Sequence, residues 1–538
     1  MVQTADVVIR GKAIYTGNAT QPMTGSIALR KDRILAIGTN EQIDPYVGSD
    51  TRVIDVEDRL VLAGFHDFHL HLWVGSLFQE YADLTECYTE EQTARKIADF
   101  ARENPEDPWV LGFGWHHTKW PGGRLPTRHS LDLYISDRPV FLLNEELHSA
   151  WLNTRALEVV GINQKTQDPP FGKIERDEQG NPTGFLYETA VVLALQALDV
   201  PEFKKAKLMQ NFLSKAASLG ITSVSDMLPL PGFELGDPAW YAEYEKRGEL
   251  SVRIHFLTSL DGDLDRAASM KEAYQSDKLR FSGLKQFVDG VPLTYTGYLL
   301  EPYSDKPNET GGTLYEKETY EKWIVEADKR GFRVRLHACG DAAVRLALDC
   351  FEKARKVNGT RDSRHCIEHI EIIHPDDLHR FKELGVIASM QPEHMTAGSV
   401  STHGYVERLG PNRIRYTWPI GTLQEHGAPI IFSSDYPVVE LNPLVGIYRA
   451  VTRKHYDGKP EEGWHPNEKI LLSQALSYYT KTPAYGNFRE QELGTLEPGK
   501  KADITVLDRN LFASPIEEIL EAKVVLTIMD GNIVYEKN

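Results

Sequence analysis

Short apolar runs recur through the middle of the chain, and helical patterns separate several of them, an alternation that implies parallel βα units. In order they are the run at 59–62 that leads into His69-Leu70-His71, then residues 221–225, 252–257, 284–288, 334–337, 366–370, 386–390 and 429–433. Helices are expected between them, at 203–219, 320–330 and 342–356 among others. Eight strands joined this way predict an α/β fold, a TIM (β/α)8 barrel, over residues 59–485. At 538 residues the chain has room for that barrel and for appended parts.

The appended parts have their own texture. Residues 5–56 and the C-terminal runs 502–507, 524–528 and 533–535 are β-rich and broken by Gly, Asn and charged turns. They predict one small composite β-sandwich built from residues 1–58 and 486–538. Roughly 150 residues separate the first barrel strand from the second, far more than a βα connection needs. Within them a helix at 90–102 and apolar strands at 109–112 and 139–143 mark an inserted subdomain over 76–200. Leaving the first strand at its C-terminal end, it is expected to act as a lid or specificity element.

Composition excludes some functions. A net charge of −18 argues against a nucleic-acid partner, and no tract is apolar enough to span a bilayer. The N-terminus lacks the basic and apolar regions of a signal peptide, and Cys87, Cys339, Cys350 and Cys366 are scattered without CxxC spacing. These features fit a reduced, cytoplasmic protein acting on a small molecule, with a homodimer left open.

Polar residues interrupt the apolar strands where barrel enzymes place their chemistry. His69 and His71, two apart on a strand, are expected to share a face with Leu70 turned away. Lys285 lies on the fourth strand, His337 and His369 end the fifth and sixth, and Asp435 follows the eighth. A hydrogen-bonded core position would explain any one of these histidines. Four histidines, a lysine and a carboxylate converging on one barrel mouth predict a metal site.

This order resembles the amidohydrolase superfamily. More narrowly, the chain is similar to amidohydrolase family 3, the YtcJ-like branch that includes N-substituted formamide deformylases. The matching stretches are His69-Leu70-His71, Leu284-Lys285-Gln286-Phe287-Val288-Asp289-Gly290, His337-Ala338-Cys339-Gly340-Asp341, Ile367-Glu368-His369, Ser389-Met390-Gln391-Pro392-Glu393-His394 and Ser433-Ser434-Asp435-Tyr436-Pro437-Val438. Gly494-Thr495-Leu496-Glu497-Pro498-Gly499-Lys500-Lys501-Ala502-Asp503 also fits, so the likeness runs from about Ala5 to Tyr535.

The resemblance implies that His69, His71 and Asp435 hold one zinc ion, that His337 and His369 hold a second, and that Lys285, carboxylated on its amine, bridges them. Manganese, iron or cobalt would suit the same donors. It implies hydrolysis of a non-peptide C–N bond, in an amide or N-formyl compound, by a metal-activated hydroxide with Asp435 as proton acceptor. The same site would attack an ester or lactone, and a metal-stabilised binding protein without turnover is the alternative from another class.

Three further residues are candidate substrate contacts: His148 in the insertion, Trp115 as a pocket wall, and His394 after the seventh strand. Adjacent His116 and His117 are not read as a metal site, and Cys339 is expected to pack as a small apolar residue. Three departures from the family pattern bear on substrate: Ala63 replaces the usual proline before Gly64-Phe65, His66 replaces an aliphatic residue, and Glu146-Leu147 replaces Asp-Gly before His148.

Overall fold

The computed structural model describes residues 3–145, 147–198, 200–227, 237–396, 398–455 and 457–537, with the backbone alone for 396 and 398–403. The chain divides into two compact units, counted over their described residues. One comprises Met1–Leu70, Leu213–Leu228 and Pro238–Asn538, the other His71–Phe212 with Pro229–Asp237.

The first unit contains the TIM barrel. Its strands are Phe65–Leu70, Ile221–Asp226, Arg253–Ser259, Leu279–Phe287, Val334–Ala338, Cys366–His369, Ile387–Met390 and Ile430–Phe432, each hydrogen-bonded to the next in sequence order. All these pairs are parallel. Most strands are buried along their whole length, as a sheet covered on both faces requires. The ring closes at its C-terminal end, where the Asp435 N–H donates to the His69 carbonyl at 2.7 Å and Leu70 bridges Tyr436. The fourth strand starts five residues before the run at 284–288. Its first half is only partly buried, and a register shift at Gly283 (φ +141°) separates the halves, so the apolar run marks only the second.

Both chain ends build one eight-stranded sheet. Its order is Asn532–Glu536, Val524–Met529, Ile504–Leu507, Leu60–Ala63, Val7–Ile14, Met23–Arg30 and Arg33–Gly38, with Arg52–Asp55 also paired to Val7–Ile14. Ile9, Ile27, Val61, Ile504 and Leu526 share its core. The apolar run before the His69 motif therefore belongs to this sheet and not to the barrel. Gly64 makes the break: a Cβ there would lie 2.2 Å from the Thr222 hydroxyl oxygen, so only glycine lets the chain pass.

Arg253, at the start of the third barrel strand, ties the barrel to this sheet. Its guanidinium is fully buried and reaches Asp503 at 2.9 Å, Asp277 at 2.7 Å and Asp530 at 2.9 Å. Lys501 joins Asp277 at 2.6 Å and Asp32 at 2.8 Å. Breaking a buried ion pair on one side strands the partner charges, so Arg253→Met is expected to cost about 3–5 kcal/mol in urea unfolding. Burial alone would raise the Asp277 carboxyl, but Arg253, Lys501 and Arg489 outweigh it and hold the group well below the usual range. A depressed carboxylate stabilises fully above its unfolded value, about 4, and the contribution is lost as pH falls through the folded value. The wild-type urea midpoint is thus expected to fall steeply below about pH 4, and the deficit of Arg253→Met to shrink there.

The second unit has a six-stranded sheet in the order Gly172–Arg176, Pro182–Glu188, Ser149–Leu152, Val140–Asn144, Val110–Trp115 and Ala82–Asp83. Helix Glu90–Glu103 begins at Thr89, whose hydroxyl accepts the Gln92 N–H at 3.0 Å. Ile97, Leu142, Trp151 and Phe185 lie in its apolar core. All four cysteines are buried and free, and no helix among the described residues is long and apolar enough to cross a membrane.

Candidate active site

The barrel brings the predicted residues together at the C-terminal ends of its strands. His69 precedes the last residue of the first strand, and its Nε2 lies 3.2 Å from Asp435 Oδ1. His71 is not on that strand. The strand stops at Leu70, and His71 is the N-cap of helix Leu72–Glu80. Strand alternation is thus the wrong reason for the pairing, yet ligand atoms of His69, His71 and Asp435 all lie within 4.8 Å of one another. The His369 ring is 5.0 Å from that of His69 and 4.5 Å from that of His337, centroid to centroid. His369 and Asp435 hold left-handed backbone (φ +75° and +65°), unusual for a histidine and the kind of strain that collects at active sites.

Hydrogen bonds decide which ring nitrogen faces the site. His69 Nδ1–H donates to Glu368 Oε2 at 2.7 Å, placing its lone pair on Nε2, toward Asp435. The Gln391 side-chain amide donates to Ser433 at 2.9 Å, which leaves its oxygen to accept from His369 Nδ1 at 2.8 Å. His337 Nε2 is directed at the Gly290 carbonyl at 3.2 Å, which puts its lone pair on Nδ1. Burial, followed by the neighbouring His337, lowers the His369 imidazole well below its ordinary value, so the ring is neutral. An imidazole lone pair and a carboxylate oxygen facing each other at 3.2 Å repel unless a cation or proton lies between them. The donor chemistry therefore fits a divalent metal.

Lys285 is buried, its amine 5.1 Å from the centroid of the Phe287 ring. Burial lowers it to about 8, against the pull of Glu368 and Asp435. His394 stacks on His369 with ring centroids 5.7 Å apart and sets Nε2 3.6 Å from Asp435 Oδ2. That nitrogen is buried without a hydrogen-bond partner among the described residues.

The other candidates land elsewhere. Trp115 is fully buried against Trp120, Trp151 and Phe185, with its indole N–H on the Leu142 carbonyl at 3.0 Å. It lies in the apolar core of the second unit, with its indole N–H satisfied. His148, in the same unit, pairs through Nδ1 with Glu188 at 2.7 Å. Cys339 packs with Sγ 3.3 Å from His337 Nε2, and its buried thiol is pushed well up.

Four site residues have no role in the sequence reading. Glu368 and Gln391 orient His69 and His369. The buried Asp67 carboxylate accepts the Ser434 N–H, at 3.2 Å to each oxygen, and the His69 N–H, also at 3.2 Å, pinning the Asp435 loop to the first strand. Asp289 accepts the N–H groups of Cys339, Gly340 and Tyr298 at 2.8–3.0 Å. The available signal was an acidic residue inside an apolar strand, as in Ile367-Glu368-His369, since a buried carboxylate needs a partner.

The sequence profile of the amidohydrolase family matches residues 52–535. The chain belongs to the amidohydrolase family. Among its relatives, N-substituted formamide deformylase of Arthrobacter pascens is 28% identical over 560 residues, covering 100% of this chain and 99% of that protein. Protein LONG AFTER FAR-RED 3 of Arabidopsis thaliana is 30% identical over 543 residues, covering 99% and 92%. A solved structure, an uncharacterized metal-dependent hydrolase of Pyrococcus horikoshii, superposes with a TM-score of 0.77 at 26% identity, covering 95% of this chain and 99% of that one. The TIM barrel described above is the fold this amidohydrolase shares with that hydrolase.

Proposed function

We propose that this amidohydrolase is a zinc-dependent hydrolase of a non-peptide C–N bond, in an amide or N-formyl compound. The observation that carries the reading is the His69 Nε2–Asp435 Oδ1 approach of 3.2 Å, with the other nitrogen of His69 already committed to Glu368. In this reading His69, His71 and Asp435 would hold one ion and His337 and His369 a second, and a carboxylated Lys285 would supply a further oxygen donor to them. The bound metal supplies Lewis acidity, lowering the pKa of water and polarising a carbonyl oxygen.

The remaining chemistry belongs to the chain. Asp435 Oδ2, on the side of His369 and His394, takes the proton of the attacking water and returns it to the departing nitrogen. The buried Nε2 of His394 is placed to hydrogen-bond the substrate or its leaving group. The formamide deformylase relative supports the choice of bond.

Matched amide and ester pairs, N-substituted formamides included, test the proposal. The amide or formamide is expected to react at least about tenfold faster in kcat/KM, relative to its uncatalysed rate, than the ester. Turnover of esters alone would move the assignment to an esterase or lactonase, and turnover of neither would favour a binding protein.

A further inference from the structure

We propose that Glu368 is a positioning residue that selects the metal-ligating tautomer of His69, and that Arg335 holds Glu368 in place to do so. The inference rests on the metal reading above and deepens it. Glu368 is fully buried and divides its two oxygens: Oε2 takes His69 Nδ1 at 2.7 Å and Oε1 takes Arg335 Nε at 2.6 Å. Arg335, also fully buried, anchors itself across the barrel. It donates to the Phe68 carbonyl on the first strand at 2.8 Å and lies 4.0 Å over the Phe68 ring. It also reaches Ser389 on the seventh strand at 3.5 Å. One guanidinium thus spans from the fifth strand to the first, sixth and seventh, and the carboxylate is built into that brace.

The consequence is chemical. A neutral imidazole carries its proton on either nitrogen. Without an acceptor at Nδ1, the His69 proton would move to Nε2 and be donated to Asp435 Oδ1, 3.2 Å away, satisfying both groups and blocking the ligand atom. An ionised Glu368 makes the opposite tautomer favourable and turns the lone pair toward the site. The buried guanidinium of Arg335, 2.6 Å from Oε1, pairs with the charge on that carboxylate. Carboxylates that hold a ligating histidine from behind typically contribute 10–100-fold to metal affinity.

Two variants of the full chain separate this role from simple support of the fold. Arg335→Met/Glu368→Leu removes both buried charges together, so neither is left unpaired, and takes the acceptor at His69 Nδ1 with them. Glu368→Asp keeps the charge for Arg335 but shortens the reach to His69. Metal-free proteins are compared by thermal melting, and zinc affinity is measured by competition with a chromophoric chelator. The double variant is expected to melt close to the wild-type protein, and both variants to bind zinc about 10–100-fold more weakly. Either variant binding zinc as tightly as wild type would overturn the proposal, so one that folds is enough. Wild-type protein that binds no zinc would instead sink the metal reading itself.

Discussion

Asp435→Asn is expected to fold and to lose turnover by about 10²–10⁴-fold in kcat, the range for removing a positioned proton acceptor. The fold should persist because the contacts that place residue 435 are backbone ones. Its N–H donates to the His69 carbonyl, and its φ of +65° suits asparagine as well as aspartate. What the substitution removes is the charge facing His69 Nε2 at 3.2 Å and His394 Nε2 at 3.6 Å, and the ability to carry a proton. An amide oxygen remains a weak ligand, so loss of activity with metal still bound would locate the defect in proton transfer. Steady-state kinetics on the best amide substrate, beside metal content, makes the measurement. Full activity would remove Asp435 from the mechanism.

Stripping metal with dipicolinate is expected to abolish activity, to below about one-thousandth, and zinc with bicarbonate to restore it. Plasma mass spectrometry of protein purified without added metal should find about two zinc ions per chain, the complement of a bridged pair. One would indicate a mononuclear site and an unmodified Lys285. The barrel should survive the treatment, as circular dichroism would report. The Glu368–His69, Gln391–His369 and Asp67–Ser434 hydrogen bonds involve no metal, and burial keeps His369 and His394 neutral. Failure of zinc to bind even after reconstitution would bring forward the alternative of a protein that only binds.

Much of the architecture is legible in the amino-acid order. Seven of the eight apolar runs, from 221–225 to 429–433, became parallel barrel strands because a strand covered on both faces must be apolar along most of its length, a purely local demand. The polar residues breaking those runs stood out for the same reason. His69, Lys285, His337 and His369 lie on barrel strands and are buried.

Long-range pairing was beyond that reach. Leu60–Ala63 has the composition of a barrel strand but pairs with Val7–Ile14 and Ile504–Leu507, strands far from it in sequence. Trp115 carries the polar handle of a ligand contact, and only the packing of Trp120, Trp151 and Phe185 around it makes it core. His71 left the strand because a helix begins there. The amino-acid order by itself determined the barrel and pointed to the side chains proposed as ligands. The partner of each ring nitrogen was decided only in three dimensions. His69 and Glu368 are 299 residues apart, and a periodicity spanning a few residues carries no information about which carboxylate will stand behind which imidazole.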